Sequence, residues 1–460
     1  MVNALLSEER VPTGITRLDQ LIEGGFPRGS LILLAGKPGS GKTVFSVKFL
    51  CEGVQSGESG IYVSFAEGKE TFMHNMVRHL GIEYEKYLKT EKFSFLDLIT
   101  VKEEGITTVL ESILAEIQRL NAKRLVIDSY SALAQAFENK INVRIVIHTI
   151  LGKMVRKSGC TTILISEIPR SQEQIGMGIE EFVADGVILL KDIDVYDQLG
   201  DGDTYPGQIE VRTARAMEIL KMRGTERRQK RSLFTLKGGF QCFEPYHENL
   251  DMTTRGAIPD IDHEHISSGI RDFDDITGGF LKGSFNLFKI EHGVGRQYME
   301  MVRQIQHNAI LNNRGVLDIT SIGIPPFENL AGNYLAYKPE TADIEKELEM
   351  LFQKEDLARS ETGKEPLVFI GLDTLQVRFG YESMMRFIDE AIDKGITEKS
   401  VLIGIAKSGI NHFDPFTHLS ETYFVFRHLY NSLIIYGLRP KTGIYNISSG
   451  EGGIKLTPIV

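Results

Sequence analysis

Cysteine is scarce in this chain: Cys51, Cys160 and Cys242 are the only three in 460 residues, and they form neither a CxxC pair nor a Cys/His ligand spacing. That excludes a disulfide framework and gives no sign of a zinc site, so inert thiols are expected. Long apolar runs are lacking too. No stretch approaches the roughly 18 apolar residues that a membrane-spanning helix needs, and the first ten residues have neither a basic start nor an extended apolar core. Positive charge is not in excess: 52 Lys and Arg against 62 Asp and Glu leave a formal net charge of −10. This argues against a chain built to coat nucleic acid or an anionic membrane. The expectation is a soluble cytoplasmic protein with no membrane partner, long enough for roughly two to four domains.

What is present is more specific. Gly36-Lys37-Pro38-Gly39-Ser40-Gly41-Lys42-Thr43 follows the apolar run Leu31-Ile32-Leu33-Leu34 and precedes a helical stretch beginning Val44-Phe45-Ser46. A strand, a glycine-rich turn and a helix start let backbone N–H groups converge on an anion, with the helix N-terminus adding favourable field. This is a P-loop for ATP, with Lys42 on the β and γ phosphates and the Thr43 hydroxyl as a ligand to Mg²⁺.

The chain also contains itself twice. Gly14-Ile15, Asp19 and Gly24-Gly25-Phe26-Pro27-Arg28-Gly29-Ser30 return as Gly269-Ile270, Asp274 and Gly278-Gly279-Phe280-Leu281-Lys282-Gly283-Ser284. Both halves alternate apolar strands with helical segments, which predicts α/β domains with mostly parallel sheets flanked by helices. We expect a first domain over 1–248, a linker over 249–262 and a second domain over 263–460. Carrying the repeat forward places Ile290-Glu291-His292-Gly293-Val294-Gly295-Arg296-Gln297 opposite the P-loop. The lysine has become Arg296, which is not equivalent in a tight cradle, and the threonine has become Gln297, which has no hydroxyl. The second half is therefore expected to be disarmed.

Hydrolysis needs further groups. The strand Arg124-Leu125-Val126-Ile127 delivers Asp128 to the sheet edge where nucleotides bind in open α/β folds, so Asp128 is the second metal residue, acting through the water shell of Mg²⁺. The strand Ile61–Phe65 leads to Ala66-Glu67, making Glu67 the candidate to polarise the attacking water. Glu167 closes another strand at the same edge.

With these residues in place, the first half resembles the KaiC branch of the RecA-like ATPases from Val11 to about Phe243, and the second half resembles the same domain in decayed form. The motifs are Gly14-Ile15 to Gly29, the P-loop, Ile127-Asp128-Ser129, Glu180–Asp185 and Leu220-Lys221-Met222-Arg223-Gly224-Thr225. The resemblance implies two tandem RecA-like P-loop NTPase domains. In that family the acidic motif is a pair of adjacent glutamates; here its first member is Ala66, leaving Glu67 as the base. The resemblance also implies that Lys221 and Arg223, two apart on a strand and so on one face, reach the γ phosphate of a neighbouring subunit in a ring, usually a hexamer.

The favoured reading is an oligomeric signalling or scaffold ATPase with an unidentified regulatory protein partner and a structural or regulatory second half. A DNA-acting recombinase relative is the alternative. Its best signals are Lys221, Arg223, Arg227, Arg228, Lys230 and Arg231 and the polar segment Pro169–Gly178, against which stand the acidic total and the lack of interleaved aromatics. A nucleotide-stabilised binding module with negligible turnover is the third. Asp192, Asp194, Asp197, Asp201 and Asp203 lack calcium-loop spacing and read as a solvated hairpin tip.

Overall fold

A computed structural model describes residues 9–81, 85–98, 106–129, 131, 157–169, 183–198, 209–226, 229–248, 256–320, 333–341, 343–410, 414–450 and 452–460. Arg170–Gly178, Asp201, Asp203, Arg227 and Arg228, all invoked above, lie outside them. The chain divides into two compact units: Met1–Asp194 with Thr213–Phe243 and Ile459–Val460, and Val195–Arg212 with Glu244–Pro458.

In the first unit, β1 (Arg10–Val11) pairs with β2 (Phe26–Pro27), and a larger sheet follows. Its strands are β3 (Leu31–Gly36), β4 (Gly60–Ser64), β5 (Phe93–Asp97), β6 (Arg124–Asp128), β7 (Thr161–Glu167), β8 (Gly186–Gln198), β9 (Ile209–Met222), β10 (Arg231–Thr235) and β11 (Gln241–Cys242). Their order is β11-β10-β9-β8-β3-β7-β6-β4-β5. Pairing is parallel from β5 through β8, while β10 runs antiparallel to β9 and β11. Among the described residues the unit also carries helices α1 (Thr16–Leu21), α2 (Lys42–Gln55), α3 (Lys69–Leu80), α4 (Glu85–Leu88) and α5 (Ile106–Leu120).

The parallel strands read as unbroken apolar runs because helices cover both faces. Successive side chains alternate between two cores. Ile32 and Leu34 of β3 join Phe45, Phe49 and Leu50 of α2 and Phe72 of α3. Leu31 and Leu33 instead join Val109, Ile113 and Ile117, spaced one turn apart along α5.

The second unit repeats this plan. A small pair, β12 (His265–Ile266) with β13 (Phe280–Leu281), precedes β14 (Phe285–Ile290), β15 (Val316–Ile319), β16 (Tyr334–Ala336), β17 (Leu367–Gly371), β18 (Val401–Lys407), β19 (Thr422–Leu429), β20 (Ser432–Arg439), β21 (Tyr445–Gly450) and β22 (Gly453–Pro458). Their sheet order, β16-β15-β17-β18-β14-β19-β20-β21-β22, matches the first strand for strand. The repeat seen in the sequence is thus a repeat of topology.

Two local expectations change. Of the segment read as a linker, 256–262 is fastened to the second unit: the Ile258 N–H donates to Asn308 at 2.8 Å, and Asp260 pairs with Arg314 at 2.5 Å. The acidic hairpin is not wholly solvated. Asp197 is buried, pairs with Arg212 at 2.7 Å and accepts from the Tyr436 hydroxyl. These partners satisfy its oxygens without bulk water, which counting aspartates could not reveal.

Glu355, on the helix Ile344–Thr362, is buried and accepts from Ser400 Oγ at 3.0 Å. Burial pushes its carboxyl up to about 7, outweighing Ser400, Lys394 and Arg359. Because the folded value lies above the ordinary 4.5, the stability it contributes is full below that ordinary value and is lost as pH rises through about 7. Glu355→Gln should flatten this dependence. Thermal unfolding between about pH 5 and about pH 8 should show the wild type losing stability relative to the variant by roughly 1–3 kcal/mol. Parallel curves would overturn the assignment.

Candidate functional site

The parallel register decides which side chains meet. Gly36 at the end of β3 lies opposite Glu167 of β7 and Leu190 of β8, and Ser64 of β4 lies opposite Asp128 of β6. Parallel strands deliver their carboxyl ends to one edge, so the P-loop, Glu67, Asp128 and Glu167 are gathered there.

The loop is shaped as a cradle. Gly39 and Gly41 adopt φ of 82° and 92°, a left-handed conformation open to glycine at little cost. Helix α2 starts at Lys42 with no side-chain cap, leaving its first N–H groups to a ligand. Lys42 is buried, and its Nζ donates to the carbonyls of Gly36 and Lys37, both at 2.9 Å. Burial lowers the affinity of this amine for its proton, while the charges of Glu167 and Asp128 oppose that shift. The Ser40 hydroxyl is buried and has no hydrogen-bond partner among the described residues. That orphaned donor and the left-handed turn at the two glycines fit an anion.

Thr43 Oγ1 donates to Asp128 Oδ2 at 3.2 Å. A hydroxyl that donates keeps lone pairs for a cation, so Thr43 and Asp128 together offer hard oxygen donors. Among the described residues no group of three or more His, Cys, Asp and Glu side chains is placed to hold a metal. A donor set this small suits Mg²⁺, which uses one or two protein oxygens and keeps waters and phosphate oxygens around it. Burial raises the Asp128 pKa, while hydrogen bonds from Tyr62 and Thr43 and the charge of Lys42 act to lower it.

Glu67 is held by its neighbours. Its N–H donates to Ser64 Oγ at 3.0 Å, Ser64 Oγ donates back to its carbonyl at 2.7 Å, and Asn75 Nδ2 of α3 donates to Oε2 at 3.2 Å. Burial, aided by the Asp128 charge, raises its pKa above the ordinary 4.5 although the Asn75 bond acts the other way. Glu167 is exposed, its N–H donating to Ser131 Oγ at 2.9 Å.

Lys221 and Arg223 are at the other edge. Lys221 Nζ donates to the Ala184 carbonyl at 2.7 Å, and Arg223 pairs with Asp185 at 3.2 Å. The same Asp185 accepts from the N–H of Leu31, the first residue of β3. A six-residue strand, roughly 17 Å from first to last residue, separates these cations from their own P-loop.

Sequence reasoning missed Tyr62, Asn75 and Arg215. Arg215 Nη1 of β9 donates to the Gly39 carbonyl at 3.1 Å, so Lys42 is not the sole cation touching the loop in cis. Its signal was available: Arg215 shares the odd-numbered face of β9 with Lys221. Tyr62 and Asn75 carried no signal, since an aromatic within an apolar strand and a polar residue on a helix are unremarkable until their partners are known.

In the second unit, β14 pairs with β18 so that Ile290 lies opposite Lys407, just as Gly36 lies opposite Glu167. By the same register Gly371 occupies the place of Asp128. Gly293 and Gly295 keep positive φ, but the helix begins only at Met299, and Arg296 is exposed. Glu291 is clamped by Arg427 through two bonds of 2.5 and 2.6 Å, Gln297 meets His428, and Lys407 pairs with Asp373 at 3.1 Å.

Comparison with known proteins agrees with this geometry. The family model "ATPase: KaiC" matches residues 11–240. A circadian clock protein KaiC3 of Synechocystis is 30% identical over 63% of this chain and 55% of its own length. A UPF0273 protein of Pyrococcus furiosus is 33% identical over 49% of this chain and 90% of its own. The circadian clock oscillator protein KaiC of Prochlorococcus marinus is 29% identical over 75% of this chain and 69% of its own. Thus the chain spans little more than half the length of the first of these relatives. A solved KaiC-like protein of Pyrococcus horikoshii is 33% identical, with a TM-score of 0.42, over 51% of this chain and 99% of its own. With the P-loop, Asp128 and Glu67 on one edge of a parallel sheet, and the family model matching residues 11–240, half of the chain, this protein belongs to the KaiC family of ATPases.

Proposed function

We propose that this chain is a slow, Mg²⁺-dependent ATPase whose chemistry is confined to the first half, 1–248, with 263–460 as a structural or regulatory pseudo-ATPase half. The observation that carries this is the contrast at matched positions. Lys42, Thr43, Asp128 and Glu167 in the first unit correspond to exposed Arg296, Gln297, Gly371 and Lys407 in the second. A lost hydroxyl and a lost carboxylate remove the oxygens offered to Mg²⁺, a lysine in place of a glutamate repels that cation, and an exposed arginine replaces the buried amine of the cradle.

In the first half the P-loop N–H groups and Lys42 bind and orient the β and γ phosphates. Thr43 and Asp128 would hold Mg²⁺, which supplies charge neutralisation at the phosphate oxygens. Glu67, fixed by Ser64 and Asn75, orients a water and takes its proton as that oxygen attacks the γ phosphorus and ADP departs. Lys221 and Arg223 lie too far from their own loop to assist it, which supports their acting on a neighbour's γ phosphate in a head-to-tail ring, a hexamer in our reading. Such a ring would present its second halves to a regulatory protein according to nucleotide occupancy.

Equilibrium titration should count one nucleotide per chain; two equivalent sites would overturn the pseudo-ATPase assignment. Glu67→Gln should lower turnover at least tenfold, about 1.4 kcal/mol or more, with binding retained, because the lost group acts on the chemical step. The wild-type rate should fall with acid at a pH above the ordinary 4.5 of a glutamate, since the folded value is raised. Unchanged turnover in the variant would move the base elsewhere. Finally, mixing Lys42→Ala with Arg223→Ala should restore part of the activity that neither has alone. If subunits demonstrably exchange and the mixture stays inactive, Arg223 does not act across chains.

A further inference from the structure

Tyr62 lies in the middle of β4, wholly buried, with its ring packed 4.5 Å from Phe72 and stacked 5.7 Å from Phe95. Phenylalanine would satisfy that packing. A phenol hydroxyl in such a place is costly unless it finds an acceptor, and this one donates to Asp128 Oδ2. Thr43 Oγ1 donates to that same oxygen. A carboxylate oxygen has two lone-pair sites, so the two hydroxyls saturate Oδ2 and leave Oδ1 as the oxygen with open acceptor sites.

This division has a consequence for the choice of metal. Ca²⁺ takes six to eight oxygens at long distances and often draws both oxygens of a carboxylate, whereas Mg²⁺ is satisfied by single oxygens within an octahedral shell that retains water. Resting on the assignment of Thr43 and Asp128 to the metal, we propose that Tyr62 is a specificity-determining positioning residue: its hydroxyl holds Asp128 to one-oxygen use and thereby selects Mg²⁺ over Ca²⁺. The aromatic stack fixes the ring, the ring fixes the hydroxyl, and the hydroxyl fixes the carboxylate rotamer. Tyr62 touches neither nucleotide nor water in this account.

The test is equilibrium binding of ADP to the full chain in EDTA, in MgCl₂ and in CaCl₂, which reads the metal site without turnover. The wild type should bind ADP at lower half-saturating Mg²⁺ than Ca²⁺. Tyr62→Phe, which keeps ring and packing, should bind ADP in EDTA as the wild type does and narrow the Mg²⁺ to Ca²⁺ preference by about tenfold, the low end of losses on removing a partner of a metal-binding carboxylate. Should the Phe variant lose binding in EDTA, Tyr62→Met, with similar bulk and no donor, replaces it in the same titrations. Asp128→Asn separates the two layers of argument. If it leaves the metal dependence intact, the metal assignment fails and the proposal with it. If it alters the metal dependence while Tyr62→Phe keeps the wild-type preference, the role of Tyr62 alone is overturned.

Discussion

Gly36 has no room for a side chain: a Cβ there would lie 2.4 Å from Ser40 Oγ and 2.7 Å from the Leu190 carbonyl. The turn out of β3 closes so tightly against its own loop and against β8 that only glycine is accommodated. Everything at the first site depends on this approach. It folds the loop back far enough for Lys42 to reach the carbonyls of Gly36 and Lys37 and for Thr43 to reach Asp128. It also keeps β3 between β7 and β8, so Glu167 and Asp128 arrive at the same edge.

The second unit keeps the scaffold and changes the side chains at its sheet edge. Its sheet has the same strand order, and Gly293 and Gly295 still turn through positive φ. Fold stability asks only for apolar runs and tight turns, and those persist. The charges have instead been paired among themselves, Glu291 with Arg427 and Lys407 with Asp373. Removing one member of a partly buried pair leaves the other unmatched. Arg427 and Asp373 supply those partners for Glu291 and Lys407 from within the unit.

Sheet topology also separates two groups of cations that are close in sequence. Arg215 and Arg223 lie on or beside one strand, yet Arg215 touches the P-loop while Arg223 is held by Asp185 at the opposite edge. One strand thus spans the sheet from the phosphate cradle to the far edge.

The sequence by itself determined the tandem α/β architecture, because parallel strands buried on both faces must read as apolar runs and the topology repeats wherever those runs repeat. It also put the P-loop, Asp128 and Glu67 at strand ends on one sheet edge, because spacing relative to strand ends is a local property. The tertiary structure alone decided what depends on contacts between distant segments. Among these are the hydroxyl of Tyr62 on Asp128, Asn75 on Glu67, Arg215 on Gly39, the burial of Asp197, and the replacement of Asp128 and Glu167 by Gly371 and Lys407 in the second unit. Each is a pairing across a sheet register or between helix and strand. A linear pattern carries the period of an element but not the identity of its neighbour, and hydrogen-bond partners are properties of neighbours.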